Sequence, residues 1–293
     1  MSGADVRYIK EELHRQGWFA PTVTAIRKDG FGADTLRAVR AFQKANVDHN
    51  GRRLAVDGII GRRTWHAVME ATGEDLPALA LPANIGAAAA NRIASALTRA
   101  DDVVQRIVLQ ALAYAYDPSV PGAFPHSLYI YGGNLVNTDL TPNVITASRI
   151  RAGAKRSPTY YSGGRMEMML DAVRENPRVT GADCSGGIVG ILRMERLVKP
   201  SFDATADRLN SSAYSVAIAR EKLRPGDWVG RSGHIGVYVG GDYVVEWMGG
   251  AYGCQLNRFS ARSGYDFVAG RVKTASAWTR FRRPTLYGNA AIR

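Results

Sequence analysis

The stretch Trp228-Val229-Gly230-Arg231-Ser232-Gly233-His234-Ile235-Gly236-Val237-Tyr238-Val239-Gly240-Gly241-Asp242-Tyr243-Val244-Val245-Glu246-Trp247 alternates apolar with small or polar residues. A period of two is that of a half-buried strand. It predicts short strands at 228–229, 234–239 and 243–247, preceded by the turn Leu223-Arg224-Pro225-Gly226-Asp227. Gly240-Gly241-Asp242 leaves room only for a hairpin, so the last two strands pair antiparallel. Helical patterns lie upstream, and the chain from Ser157 onward reads as α+β.

Two side chains in this stretch carry chemistry. His234 opens a strand, and a histidine is the side chain best suited to move protons near neutral pH. Glu246 is the only carboxylate in an apolar strand, twelve residues on. A charge among Val and Trp is costly unless paired, and a hairpin brings it to His234, where it would orient the ring. Fifty positions before His234 lies Gly181-Ala182-Asp183-Cys184-Ser185-Gly186-Gly187-Ile188-Val189. A helix is expected from about Asp183 to Val198, with Cys184 at its start. There the helix dipole and an imidazolium from His234 would favour a thiolate. The first N–H groups, on Ser185 and Gly186, would face the oxyanion of a tetrahedral intermediate. Asp183 and Asp227 read as capping and turn residues.

The first 70 residues hold a half-repeat. Asp29-Gly30-Phe31-Gly32-Ala33-Asp34-Thr35-Leu36 is echoed by Asp57-Gly58-Ile59-Ile60-Gly61-Arg62-Arg63-Thr64-Trp65. Each reads as a turn, a Thr able to cap, and a short helix. Helices are expected at 6–16 and 35–45. A Pro-, Gly- and Ala-rich stretch at 73–90 reads as a linker. One long helix is expected from about Asn91 to Tyr116, ended by Asp117-Pro118. Residues 126–157 carry no clear pattern, and Met166, Met169, Leu170 and Val173 suggest an extra helix within 165–180.

A chain of 293 residues is long enough for two domains. Its net charge of +12, spread along the chain, suits polyanionic partners. No apolar run approaches a membrane span, and the N-terminus lacks the pattern of a signal peptide. Two cysteines make no disulfide framework. A nucleophilic Cys184 must be free, and Cys254 reads as a small buried residue. His14, His49, His66 and His126 have no partners at metal-ligand spacing.

The two turns, with the intervening Ala38-Val39-Arg40-Ala41-Phe42-Gln43-Lys44-Ala45-Asn46, resemble the three-helix peptidoglycan-binding module of wall hydrolases. Residues 158–270 resemble the NlpC-type peptidoglycan cysteine peptidases. The matching motifs are Asp183-Cys184-Ser185-Gly186, Pro225-Gly226-Asp227 and His234-Ile235-Gly236-Val237-Tyr238-Val239-Gly240. In that family a third polar residue follows the histidine by about twelve positions. It is usually His, sometimes Asn or Gln; a carboxylate such as Glu246 is found in the related CHAP group. The family also has a Tyr-x-x-Gly-Gly element before the cysteine, whose hydroxyl lies by the nucleophile. Tyr160-Tyr161-Ser162-Gly163-Gly164 and Tyr129-Ile130-Tyr131-Gly132-Gly133 both match; Tyr160, the nearer in sequence, is preferred.

The resemblances imply a peptidoglycan-binding domain at 1–72, a linker at 73–90, a helical extension at 91–157 and a papain-like α+β peptidase at 158–293. Cys184, His234, Glu246 and Tyr160 would be catalytic, with neither cofactor nor metal. The implied reaction is hydrolysis of a stem-peptide amide, at the D-γ-glutamyl bond to a diamino acid. An amidase of CHAP type and a non-catalytic wall-binding protein are the alternatives. The implied partners are peptidoglycan and anionic wall polymers rather than nucleic acid. A wall hydrolase without a leader suggests a phage endolysin or a virion-borne lysin.

Overall fold

The computed structural model describes residues 3–19, 30–48, 51–70, 80–98 and 100–288. The chain divides into two compact units, Met1–Ala78 and Leu79–Arg293. Asp29, His49 and residues 73–79 of the expected linker fall outside the described residues. Among the described residues no helix is long and apolar enough to cross a membrane.

The first unit is helical. Helices α1 (Gly3–Arg15), α2 (Ala33–Ala45) and α3 (Arg62–Glu70) converge on Ile9, Leu13, Val39, Phe42 and Val68. Thr35 and Thr64 do not cap, contrary to expectation. Each sits inside its helix and is buried, because the chain becomes helical two residues before it. Buried Gln43 ties the second turn to α2. Its amide nitrogen donates to Asp57 Oδ1, the Ile59 carbonyl and Thr64 Oγ1, and its oxygen accepts from the Gly58 amide at 2.8 Å. Gly58 adopts φ +78°, and a Cβ there would stand 2.2 Å from the Leu36 side chain, so glycine is required.

The second unit is built on a sheet. Strands β3 (Ser215–Ala217), β4 (Trp228–Arg231), β5 (His234–Gly240), β6 (Tyr243–Met248), β7 (Gly253–Arg258) and β10 (Arg280–Pro284) form it in the order β3-β10-β4-β5-β6-β7. Every neighbouring pair is antiparallel, as the hairpin spacing predicts. Strands β8 (Ser263–Asp266) and β9 (Arg271–Thr274) make a separate hairpin.

The expected helix at 91–116 is two helices, α4 (Ala87–Leu97) and α5 (Asp102–Tyr114). The Gln105 side chain holds the break by donating to the carbonyls of Leu97 and Ala100. The end of the expected linker is likewise structured. Ile85 and Ala89 lie in the core of this unit, and Asn84 donates to the carbonyls of Leu112 and Ala115.

Residues 126–157 contribute strand β1 (Ser127–Tyr129) and helix α6 (Ala147–Arg156), and the extra helix forms as α7 (Arg165–Glu175). Strand β1 pairs in parallel with β2 (Thr180–Ala182), which feeds helix α8 (Cys184–Met194). All residues from Cys184 to Arg193 are buried. A Cβ on Gly187 would lie 2.3 Å from the Trp247 ring, so small residues let α8 press onto β6. A short helix α9 (Ala206–Leu209) lies between α8 and the sheet strands.

Candidate functional site

Asp183 caps α8, as the motif predicts. Its Oδ1 accepts from the Gly186 amide at 2.7 Å and from Ser185 Oγ at 2.9 Å; its Oδ2 accepts from the Gly132 amide at 3.0 Å. The Asp183 amide in turn donates to the Gly133 carbonyl at 2.9 Å. These bonds fix Cys184 as the first helical residue, 5 % exposed, with Sγ donating to the carbonyl of Gly233 at 3.8 Å. Gly233 immediately precedes His234, so thiol and imidazole backbone meet at the start of β5.

Burial, and next the Asp183 carboxylate, push the Cys184 thiol up to about 11. The amides of Ile235, Ser185 and Cys184 pull the other way but do not win. Against the expectation that a helix start lowers this thiol, burial first and the capping anion second hold it above its ordinary value. The Gly186 amide is likewise occupied by that cap, so it does not face an oxyanion; the Cys184 and Ser185 amides lie by the sulfur.

His234 Nε2 lies 2.6 Å from Glu246 Oε2, as the hairpin argument predicts. The strand register explains how. Gly236 lies beside Glu246, and a Cβ there would stand 3.1 Å from Glu246 Cβ and 2.8 Å from the Val244 side chain. The glycine two residues after the histidine thus opens the lane through which Glu246 reaches the ring. The ring also stacks on Trp278, with centroids 5.7 Å apart and planes 10° apart. With Nε2 and one face taken, Nδ1 remains for proton transfer.

Glu246 is fully buried. Asn257 Nδ2 donates to its Oε1 at 2.8 Å, and Arg262 clasps both oxygens, Nε to Oε1 at 2.8 Å and Nη2 to Oε2 at 2.6 Å. Burial alone would raise this carboxyl. The hydrogen bonds from Arg262 and His234, with their charges, outweigh it and bring it down to about 2.

Tyr160 does not reach the thiol. Its hydroxyl donates to the Tyr129 carbonyl at 2.8 Å, and Tyr129 itself lines the cleft that holds Cys184. Burial raises both phenols, and for Tyr129 the proximity of Cys184 adds to the rise. The parallel β1–β2 pair places Tyr129 opposite Ala182, two residues from the cysteine. This pairing, rather than sequence distance, decides which tyrosine lies by the cysteine, and it places Tyr129 there instead of Tyr160.

The cleft, of about 550 Å³, runs between Tyr129, Tyr131 and Cys184 on one side and residues 203–208 with Tyr214 on the other. Asp207 lines the cleft, accepting from the Gly233 amide and from Arg280. Sequence reasoning missed Arg262, Asn257, Trp278 and this second wall. Asn257 alone left a signal, a polar side chain on a strand neighbouring Glu246. Cys184 and Cys254 are both free, and Cys254 is fully buried in β7.

No curated protein and no solved structure matches the chain. Residues 2–68 match the family model described as a putative peptidoglycan binding domain, so the N-terminal helical unit is a peptidoglycan-binding domain and associates this chain with the cell wall.

Proposed function

We propose that the chain is a peptidoglycan hydrolase whose second unit is a papain-like cysteine peptidase of the NlpC type. The observation that carries the reading is the 2.6 Å contact between His234 and Glu246 beside a cysteine that opens a buried helix. In the proposed reaction His234 Nδ1 takes the thiol proton as Cys184 Sγ attacks the scissile carbonyl carbon. The C–S bond forms, and the oxyanion is held by the Cys184 and Ser185 amides, with the Tyr129 hydroxyl at the cleft wall. The imidazolium then protonates the departing nitrogen as the C–N bond breaks. Water, deprotonated by His234, hydrolyses the thioester to a carboxylate and restores the thiol. Glu246 keeps the ring oriented throughout. The resting thiol is neutral, so its proton leaves in the attacking step rather than before it.

The bond cut, on this reading, is the D-γ-glutamyl link to the diamino acid of the stem peptide. The carboxylate in third position favours a second reading, the CHAP-type amidase that cuts between muramic acid and L-alanine. Mass spectrometry of digested walls separates the two by the new termini. The N-terminal domain holds the second unit at its polymer and raises the effective substrate concentration. Loss of turbidity of purified walls, lost in Cys184→Ala, is the expected result. Clearance by the Ala variant at the parent rate would leave a non-catalytic wall-binding protein. We further read the chain as a phage lysin; holin or tail genes beside its coding sequence would support this, and an isolated chromosomal locus would overturn it.

A further inference from the structure

Among the described residues, Arg262 is the cation that touches two supports of the histidine at once. Its guanidinium clasps both Glu246 oxygens, lies 4.4 Å from the centre of the Trp278 ring, and is itself held through Nη1 to the Ser276 carbonyl at 2.7 Å. Glu246 bears on the edge of the His234 ring and Trp278 on its face. We propose that Arg262 is the positioning residue of this site, supplying the permanent counter-charge that lets His234 stay neutral and serve as a base.

Arg262, Glu246 and neutral His234 sum to zero. Arginine keeps its charge at every working pH, so the carboxylate stays an acceptor whether His234 is neutral or protonated. Without that cation, a fully buried carboxylate and a neutral imidazole would carry an uncompensated negative charge. The pair would relieve it by binding a proton. The imidazole is the more basic member, and once the ring holds the proton His234 no longer accepts one from Cys184. The other groups that face this assembly do not substitute for Arg262. Asn257 is neutral, buried Cys254 is held as a thiol, and Asp183 is occupied in capping α8. Arg231 lies opposite His234 in the β4–β5 register, but the bonds to Glu246 come from His234, Asn257 and Arg262. Asp207 is paired to Arg280 beside Gly233.

The consequence for catalysis rests on the hydrolase reading; the charge balance does not. The full chain is titrated by NMR of its imidazole groups, with the His234 signal assigned by its loss in His234→Gln. In Arg262→Gln the midpoint of the His234–Glu246 pair rises by at least about one unit, a tenfold change in proton affinity. In Arg262→Lys, which restores the charge, most of that rise disappears. The acid limb of the wall-clearing pH profile moves with it. A merely structural role would lower activity without moving this midpoint. Alkylation of Cys254, fully buried in the fold, reports whether a variant has unfolded.

If Arg262→Gln does not fold, Glu246→Gln is compared with the double variant Glu246→Gln, Arg262→Gln. The single variant leaves a lone cation beside His234 and titrates at least about one unit below the neutral double variant. An unshifted midpoint in Arg262→Gln, or equal midpoints in the second pair, overturns the proposal. Retained wall clearance by Cys184→Ala would overturn the hydrolase reading and leave these titrations intact.

Discussion

Gly186 and Gly133 are in contact so close that a Cβ on Gly186 would stand 1.9 Å from the Gly133 carbonyl oxygen. That same oxygen accepts the Asp183 amide at 2.9 Å, so it cannot retreat without freeing the cap of α8. Gly186→Ala therefore forces apart the segment carrying Tyr129 and the helix carrying Cys184. Overpacking of this kind costs about 1–3 kcal/mol. Chemical denaturation should show that loss, and Cys184 should be alkylated faster because its cover has moved. An unchanged midpoint and rate would mean that the two glycines are not tightly packed.

Asp183 does two things of opposite sign. It caps α8 and, as an anion beside Cys184, it adds to the rise of the thiol that burial begins. Asp183→Asn keeps the capping oxygen, removes the charge and gives up the bond from the exposed Gly132 amide, so stability falls by about 1 kcal/mol. The thiol should ionise at lower pH, and alkylation of Cys184 near neutral pH should quicken. Asp183→Ala loses the cap as well and costs about 1 kcal/mol or more. A slower alkylation in the Asn variant would contradict the assigned sign.

The two tyrosine elements are separable by single hydroxyl deletions. On the proposed function, Tyr129→Phe should cut the rate of wall clearance about tenfold or more, as the loss of a donor to a developing charge does. Tyr160→Phe removes only a bond to the Tyr129 carbonyl, a change of about 1 kcal/mol in stability. It should leave the rate within a few-fold of the parent. The reverse ranking would return the role to Tyr160.

What was legible in the sequence was local. The period-two stretch gave the β5–β6 hairpin and the small-residue run gave the start of α8, because both signals lie in contiguous residues. The His234–Glu246 contact followed because a hairpin fixes partners by counting. The choice of tyrosine did not follow. It depends on a parallel pair between residues 127–129 and 180–182, which no spacing announces. Arg262 was invisible for the same reason, since its role arises where the chain beyond β7 folds back on Glu246. The break between α4 and α5 escaped because Gln105, a good helix former by propensity, acts there through its side-chain bonds to Leu97 and Ala100.

Glu246 makes the fold sensitive to acid with a definite sign. Its carboxyl lies at about 2 in the folded chain against 4.5 as its ordinary value, so the unfolded chain binds the proton more tightly. The stability this confers is fully present above the ordinary value and is lost as the pH falls toward the folded one. The depression corresponds to about 3 kcal/mol. Denaturation of the parent and of Glu246→Gln should therefore differ most near neutral pH. The gap should close by about that amount as the pH approaches 2. A gap independent of pH would show that Glu246 is not held ionised.

In the first unit, Gln43 is the side chain on which the second turn depends. It satisfies the Gly58 amide, the Ile59 carbonyl, Asp57 and Thr64 from a position 1 % exposed. Truncation to Ala takes this partner from the buried Gly58 amide and the buried Thr64 hydroxyl, at about 1–3 kcal/mol for each group left unsatisfied. A small helical unit has little stability to lose, so Gln43→Ala should unfold it or nearly so. Sedimentation with purified walls should then fall sharply. On the proposed function, cleavage of a short soluble stem peptide should be unaffected, because tethering does not help a substrate that diffuses freely. Equal losses on walls and on the soluble peptide would mean that the two units act as one, and normal wall binding would show that the turn tolerates the loss of its amide.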